Sequence, residues 1–220
     1  MPLTLYYHLL SSYCHKVLVA LYERGVDFDK RLINLGDVAD RAELAAIWPL
    51  VKFPVLRDAR RGRDVAETSV IIEYLDRHFA GRRKMLPENW DDALDVRLWD
   101  RVFDNYVHAP LQAIVSERIH GANANMSEQR AMIPIAYRMI EARVASRVWA
   151  GGDAFSMADC AAAPALFYAS TVMAFSPECT HLAAYFERLV ARPSVTRVLE
   201  EAKPYLSMYP FAEQVPARFR

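Results

Sequence analysis

FPVLRDARRGRDVAETSVIIEYLD, residues 53–76, is the stretch that decides the fold. Pro54 to Asp58 reads as a strand. Ala59-Arg60-Arg61-Gly62-Arg63-Asp64 is a polar turn containing a glycine, and Val65-Ala66 is the stub of a returning strand. Residues 68–79 then place Val70, Ile71, Tyr74 and Leu75 on a helix face set to point inward. Strand, turn, strand and helix in that order predict a hairpin with a covering helix.

Upstream, Leu3-Thr4-Leu5-Tyr6-Tyr7 reads as a first strand. Residues 13–24 carry Val17, Leu18, Ala20 and Leu21 near helical spacing, and Gly25 ends that helix. Phe28 to Leu35 is a second strand and Arg41 to Ile47 a short helix. The segment is therefore β-α-β followed by β-β-α: a parallel pair joined by a helix, then the hairpin. This predicts a mixed-sheet α+β domain over residues 1–80.

Downstream the pattern changes. Gly81-Arg82-Arg83-Lys84-Met85-Leu86-Pro87-Glu88 is basic and then broken by proline, which places a linker at 81–90. From Asp91 to the end the periodicity is helical throughout, an all-α domain over 91–220. Helices are expected over 91–120 with a bend at Pro110, over 127–150, over 157–173 and over 180–191, with a short one after Ser194. The separating loops are Gly121-Ala122-Asn123, Gly151-Gly152-Asp153 and Ser176-Pro177.

Composition narrows the function. The 220 residues are 53% hydrophobic, and 27 basic side chains balance 27 acidic ones, so bulk charge gives no support for nucleic-acid binding. Cys14, Cys160 and Cys179 are too few and too scattered for a disulfide framework or a zinc site, so no metal is expected and a reducing compartment, the cytoplasm, fits. Met1-Pro2-Leu3-Thr4 is not the start of a secretory signal. The most apolar segment, Ala158 to Phe175, is interrupted by Pro164, Tyr168, Ser170 and Thr171, and reads as a buried core helix rather than a membrane span.

Three short signals carry chemistry. Ser11-Ser12-Tyr13-Cys14 opens a helix after a strand. Such an end exposes unpaired N–H groups and about half a positive charge, which favours a thiolate held against it. A free thiol of pKa about 8.5 is roughly 3% ionised at neutral pH; lowering it by about two units ionises roughly three quarters, for about 2.7 kcal/mol. A serine hydroxyl donating to the sulfur, from Ser11 or Ser12, together with the helix end, can supply that. Cys14 lacks a cysteine partner at position 11, so dithiol exchange is lost and a packed core thiol is expected; His15 is expected at the surface. Phe53-Pro54 opens a strand, and a cis bond there would turn the Phe53 amide and carbonyl outward for an extended ligand. Glu67-Thr68 opens a helix: Thr68 offers a carboxylate site and Glu67 a partner for an ammonium, which together suit one amino-acid head. Each signal alone also reads as structure: an N-cap serine, a trans proline at a strand start, a capped helix.

Taken together, Leu5-Tyr6-Tyr7, the run from Ser11 to Val17, Trp48 to Leu56 and Glu67 to Asp76 resemble the glutathione transferase superfamily, its serine-type, zeta- and theta-like cytosolic members in particular. Phe155-Ser156-Met157-Ala158-Asp159 looks like that family's capping motif. The resemblance implies a thioredoxin-like N-terminal domain, an all-helical C-terminal domain, and a homodimer. It implies a detoxifying transferase that uses glutathione as co-substrate against a small electrophile. An isomerase or dehalogenase of the same fold, or a non-enzymatic partner-binding protein, are the alternatives. By position it assigns Ser11 to the glutathione sulfur, Lys52, Phe53 and cis-Pro54 to the cysteinyl backbone, and Glu67 and Thr68 to the γ-glutamyl head. Arg41 and Lys52 are the candidates for the glycyl carboxylate. Leu10, Tyr13 and Tyr106 are the candidates for the electrophile side, Tyr106 from a helix that also carries Trp99, Arg101, Asn105 and His108. The sequence departs from the family pattern at Trp48, where asparagine is frequent, and at Val51, where glycine is frequent. Ser156 and Asp159 also form a variant capping box with Phe155 and Cys160 as the apolar staple, a folding device.

Overall fold

A four-stranded sheet in the order β2-β1-β3-β4 organises the first part of the chain. In the computed structural model, which describes residues 2–121 and 123–220, β1 (Leu3–Tyr7) runs parallel to β2 (Asp29–Leu32) and antiparallel to β3 (Val55–Asp58). β3 pairs in turn with β4 (Arg63–Ala66), antiparallel. The parallel pair needs a crossover, and α1 (Ser12–Arg24) supplies it. Gly25 ends α1 at φ 64, with its N–H returned to the carbonyls of Leu21 and Tyr22. That left-handed cap is the conformation glycine adopts without a Cβ penalty.

Side chains alternate across each strand. Tyr6 and Val55, opposite one another in the register, join Ile33 and Leu44 of α2 (Val38–Ile47) in one buried cluster. Leu5, Leu56, Val17, Leu18, Leu21, Ile71, Ile72 and Leu75 are also fully buried, and α1 packs on α3 (Thr68–His78).

Several elements differ from the sequence expectation. β2 is shorter than 28–35, because it lies at the sheet edge and pairs with the five-residue β1. α2 starts earlier, at Val38 and runs to Ile47, because Asp37 caps it by accepting from the N–H groups of Ala39 and Asp40. β4 is a full four-residue strand rather than a stub, paired along all of β3. Val70 is 53% exposed: Ile71, Ile72, Tyr74 and Leu75 occupy the inward face of α3 and leave it outside. His15 is buried, not at the surface, because its ring turns back onto the β1–α1 turn, Nε2 lying 2.6 Å from the Leu9 carbonyl.

The chain divides into two compact units, Met1–Met85 and Leu86–Arg220. The second is helical: α4 (Trp90–Val102), α5 (Ala109–His120), α6 (Ser127–Val144), α7 (Met157–Val172), α8 (Thr180–Val190) and α9 (Pro193–Ala202), followed by short 3-10 turns. Between α4 and α5 lies a π turn, Phe103–His108, in place of a bend at Pro110. Proline cannot donate to the carbonyl four residues back and its ring crowds that carbonyl, which belongs to Tyr106; the wider turn N-terminal to Pro110 absorbs both effects and leaves Pro110 in the first turn of α5. α6 stops at Val144 rather than near residue 150, because Trp149 and Gly152 exchange backbone hydrogen bonds of 2.9 and 3.0 Å and pull that segment into a tight loop. Ala122, part of the expected loop after α5, lies outside the described residues, as does Met1.

α7 is buried along almost its whole length. It is entered through the Ser156–Asp159 box, in which the Asp159 carboxylate accepts from the Ser156 N–H at 2.8 Å and hydroxyl at 2.9 Å. Phe155 and Cys160, the staple residues, are both buried. Among the described residues, no helix is long and apolar enough to cross a membrane.

Candidate functional site

Register brings three loops of the first unit to one end of the sheet. Tyr6 pairs with Val55, and Val55 with Ala66, so these three residues form one row across β1, β3 and β4. One residue beyond Tyr6, β1 ends and the chain turns into α1. Immediately before Val55 stand Phe53 and Pro54. Immediately after Ala66 come Glu67 and Thr68. The antiparallel pairing of β3 with both neighbours puts the exit of β1, the entry of β3 and the exit of β4 on the same edge.

The first loop is a tight turn. The Ser11 N–H donates to the His8 carbonyl at 3.1 Å, and the Ser11 carbonyl accepts from the His15 N–H at 3.0 Å. Ser11 is the N-cap of α1, in extended conformation, and its hydroxyl oxygen accepts from the Cys14 N–H at 3.3 Å. A hydroxyl has one proton to give and two lone pairs to receive with. Accepting from the Cys14 N–H uses a lone pair and leaves the proton to be donated, either to the Cys14 sulfur or to an acceptor outside the helix. The first turn of α1 holds no acidic side chain, so nothing there offsets the positive helix end. Ser11 is half-buried, whereas Ser12 is 1% exposed. Leu10 and Tyr13, on either side, are half-buried. Cys14 is fully buried, and burial pushes its thiol up to about 12 against hydrogen bonds from Ser11 and the His8 backbone. It is a protonated thiol at neutral pH, and no nucleophile.

The second loop carries a cis Phe53–Pro54 bond. Strand pairing starts at Val55, so the Phe53 main chain lies outside the ladder. Pro54 is buried, Phe53 half-buried and Lys52 exposed. Val51 sits at φ 53, a left-handed conformation that a β-branched residue rarely adopts, and its N–H donates to the Trp48 carbonyl at 2.9 Å. Trp48, Val51 and Phe53 pack on the Tyr6–Ile33–Leu44–Val55 cluster, which holds this turn in place.

The third loop is also strained. Glu67, the N-cap of α3, is exposed at φ 66 and ψ 119, and its side chain makes no capping bond. Non-glycine residues in such regions persist where the surroundings over-determine them, and they cluster at ligand sites. Thr68 behind it is buried. Lys16 of α1 reaches Ser69 of α3, Nζ to Oγ 2.9 Å, tying the first turns of the two helices together.

Of the remaining sequence candidates, Arg41 is exposed on α2. Tyr106 stands on the π turn of the second unit, 45% exposed, beside the exposed Asn105 and Arg101; Arg101 is bound to Asp100 and Asp104, and His108 is buried. The sequence reading missed His8. Its ring accepts the Leu10 N–H at Nδ1, 3.2 Å, and stacks on Phe53 with centroids 6.1 Å apart. A polar aromatic residue three positions before an N-cap serine was the available signal. It also missed the buried Lys16 and Arg24.

The family model for the glutathione S-transferase N-terminal domain matches residues 5–83, and the model for the C-terminal domain matches residues 123–188. Glutathione S-transferase U22 of Arabidopsis thaliana is 27% identical over 203 residues, covering 90% of this chain and 89% of its own. A glutathione S-transferase structure from Methylobacillus flagellatus, with glutathione bound, aligns at a TM-score of 0.78 and 25% identity over 89% of this chain and 98% of that one. A second, from Methylobacterium radiotolerans in complex with glutathione sulfonate, aligns at 0.77 and 27% over 89% and 93%. With the two family models together spanning more than half of the sequence, the chain belongs to the glutathione S-transferase family.

Proposed function

We propose that the chain binds glutathione across the Tyr6–Val55–Ala66 end of the sheet and joins it through sulfur to a small electrophilic carbon, the new C–S bond displacing a leaving group or opening a π bond that then takes up a proton. The observation that carries this reading is the single edge shared by the Ser11 hydroxyl, the Phe53 main chain outside the ladder and the Glu67-Thr68 helix start. In this reading Ser11 donates a hydrogen bond to the sulfur and, with the N-terminus of α1, holds it as thiolate, the thiol proton passing to solvent. Its partial exposure and lone-pair use by Cys14 favour it over Ser12, which is buried. Phe53 pairs with the cysteinyl backbone, and Lys52 and Arg41 are the cations for the glycyl carboxylate. Glu67 and Thr68 hold the γ-glutamyl ammonium and carboxylate. Most of the rate then comes from thiolate formation and proximity. Leu10 and Tyr13, flanking Ser11, and Tyr106 are the proposed contacts to the electrophile. A homodimer in the cytoplasm completes the proposal. Trp90, Leu94 and Leu98, exposed at four-residue intervals on α4, offer an apolar stripe to a second copy.

The test is calorimetry with glutathione, the ultraviolet band of its bound thiolate, and turnover of a panel of soft electrophiles at pH 6.5. Ser11→Ala removes a bond strongest to the anion, so it should lower turnover about 10- to 100-fold with little loss of affinity. Ser12→Ala should keep the band. Glu67→Ala should weaken binding roughly tenfold. No binding heat at millimolar glutathione, or equal turnover by Ser11→Ala and the parent, rejects the proposal.

A further inference from the structure

We propose that His8 is a positioning residue for Ser11: its neutral imidazole fastens the turn that carries the hydroxyl, and protonating that ring releases it. This rests on the glutathione reading above.

His8 holds the β1–α1 turn in three ways. Its carbonyl accepts the Ser11 N–H at 3.1 Å, and its backbone also hydrogen-bonds the Cys14 side chain. Its Nδ1 accepts the Leu10 N–H at 3.2 Å. Its ring stacks on Phe53, interplanar angle 19°, and so links this turn to the loop that precedes β3. The opposite side of the turn is fixed by His15, whose Nε2 meets the Leu9 carbonyl. These contacts act on the turn from His8 to Ser11 and on the first turn of α1, so the turn, together with the bond from the Cys14 N–H, sets where the hydroxyl stands.

An imidazole that accepts at Nδ1 carries its proton on Nε2 and is neutral. A second proton can go only to Nδ1. There it removes the acceptor and points an N–H at the Leu10 N–H. The titratable groups on the flanking elements include Tyr6 and Tyr7 of β1, Tyr13, the Cys14 thiol, His15 and Lys16 in the first turns of α1, and Lys52 of the Phe53 loop. Burial holds the His8 pKa below the ordinary histidine value of 6.5. The direction is consistent: the held turn prefers the neutral ring, that preference is fully satisfied above pH 6.5, and it is lost as pH falls through the lowered pKa.

The experiment separates positioning from simple structural support. Asn at position 8 can accept the Leu10 N–H with its own carbonyl, since asparagine favours the first position of a turn and bonds the amide two residues on. Unlike histidine it does not titrate. The thiolate band of glutathione is followed from pH 8 to pH 5 in the parent, His8→Asn and His8→Ala, each at saturating glutathione. The parent should lose the band along a limb steeper than one proton. His8→Asn should keep a parent-like band at pH 8 and lose it along a single-proton limb, with its midpoint displaced about half a unit to one unit to the acid side. His8→Ala should show a weakened band throughout, also with a single-proton limb. Superimposable limbs for the parent and His8→Asn would overturn the inference. A parent that binds no glutathione at pH 8 would overturn the underlying reading instead.

Discussion

Replacing Asp159 with alanine should destabilise the second unit by about 3–4 kcal/mol, and the structure shows why. The Asp159 carboxylate is fully buried and accepts four hydrogen bonds: from the Ala150 N–H at 2.8 Å and the Tyr185 hydroxyl at 2.6 Å on Oδ1, and from the Ser156 N–H at 2.8 Å and hydroxyl at 2.9 Å on Oδ2. The Ser156 hydroxyl can rotate to another acceptor. The two backbone N–H groups are fixed, and the Tyr185 hydroxyl proton keeps to the plane of its buried ring. Leaving a buried donor unmade costs about 1–3 kcal/mol, and the low end applies because the ion itself was costly to bury. Burial pushes the carboxyl pKa up, and the donors from Tyr185, Ala150 and Ser156 pull against it. For a chain of this length each kcal/mol lowers Tm by about 2–4 °C, so the melting point should fall by roughly 10 °C. Guanidinium unfolding followed by tryptophan fluorescence is a suitable assay: Trp149 lies 6.4 Å from the Tyr185 ring and reports on this region. Asp159→Asn is the sharper variant. Every partner is a donor, so an amide must point its NH2 at two of them, and it should still lose about 2 kcal/mol. If Asp159→Asn unfolds within about 0.5 kcal/mol of the parent, the four bonds only repay the desolvation of the ion, and the reasoning is refuted.

Buried groups in the first unit give two further expected outcomes. Arg24 is buried against Asp76 and donates to the carbonyls of Leu75, Phe79 and Arg83, closing the end of α3. Arg24→Met should cost about 3–5 kcal/mol in thermal or denaturant unfolding, and Asp76→Asn in the same chain should recover part of it; additive losses would contradict a pair. Cys14, with its thiol pushed up to about 12 by burial, should resist iodoacetamide in the folded protein at pH 8 and react on unfolding. Rapid native alkylation, read by mass spectrometry, would contradict its placement.

The sequence by itself determined whatever depends on residues within one or two turns of each other. Gly25 stops α1 because a left-handed cap favours glycine. Ser156 and Asp159 form their box at a spacing of three. The polar, glycine-containing turn at 59–62 sends β3 back on itself as β4. These signals are local, and they fix the βαβ-ββα order of the first unit and the helical character of the second. Only the tertiary structure decided which polar groups go inside. Lys16 is buried because Ser69 waits for it, and Arg24 because Asp76 does, each partner more than fifty residues away. His15 reads as a surface residue by its type and is turned inward onto the Leu9 carbonyl. Val70 looks apolar enough for the core but stays 53% exposed on the outer side of α3. The site behaves in the same way. The serine, the proline and the glutamate could each be read as a helix or strand terminus. That they share an edge comes from a register, Tyr6 to Val55 to Ala66, that no single segment encodes. Register is set by which faces bury apolar side chains once the strands meet.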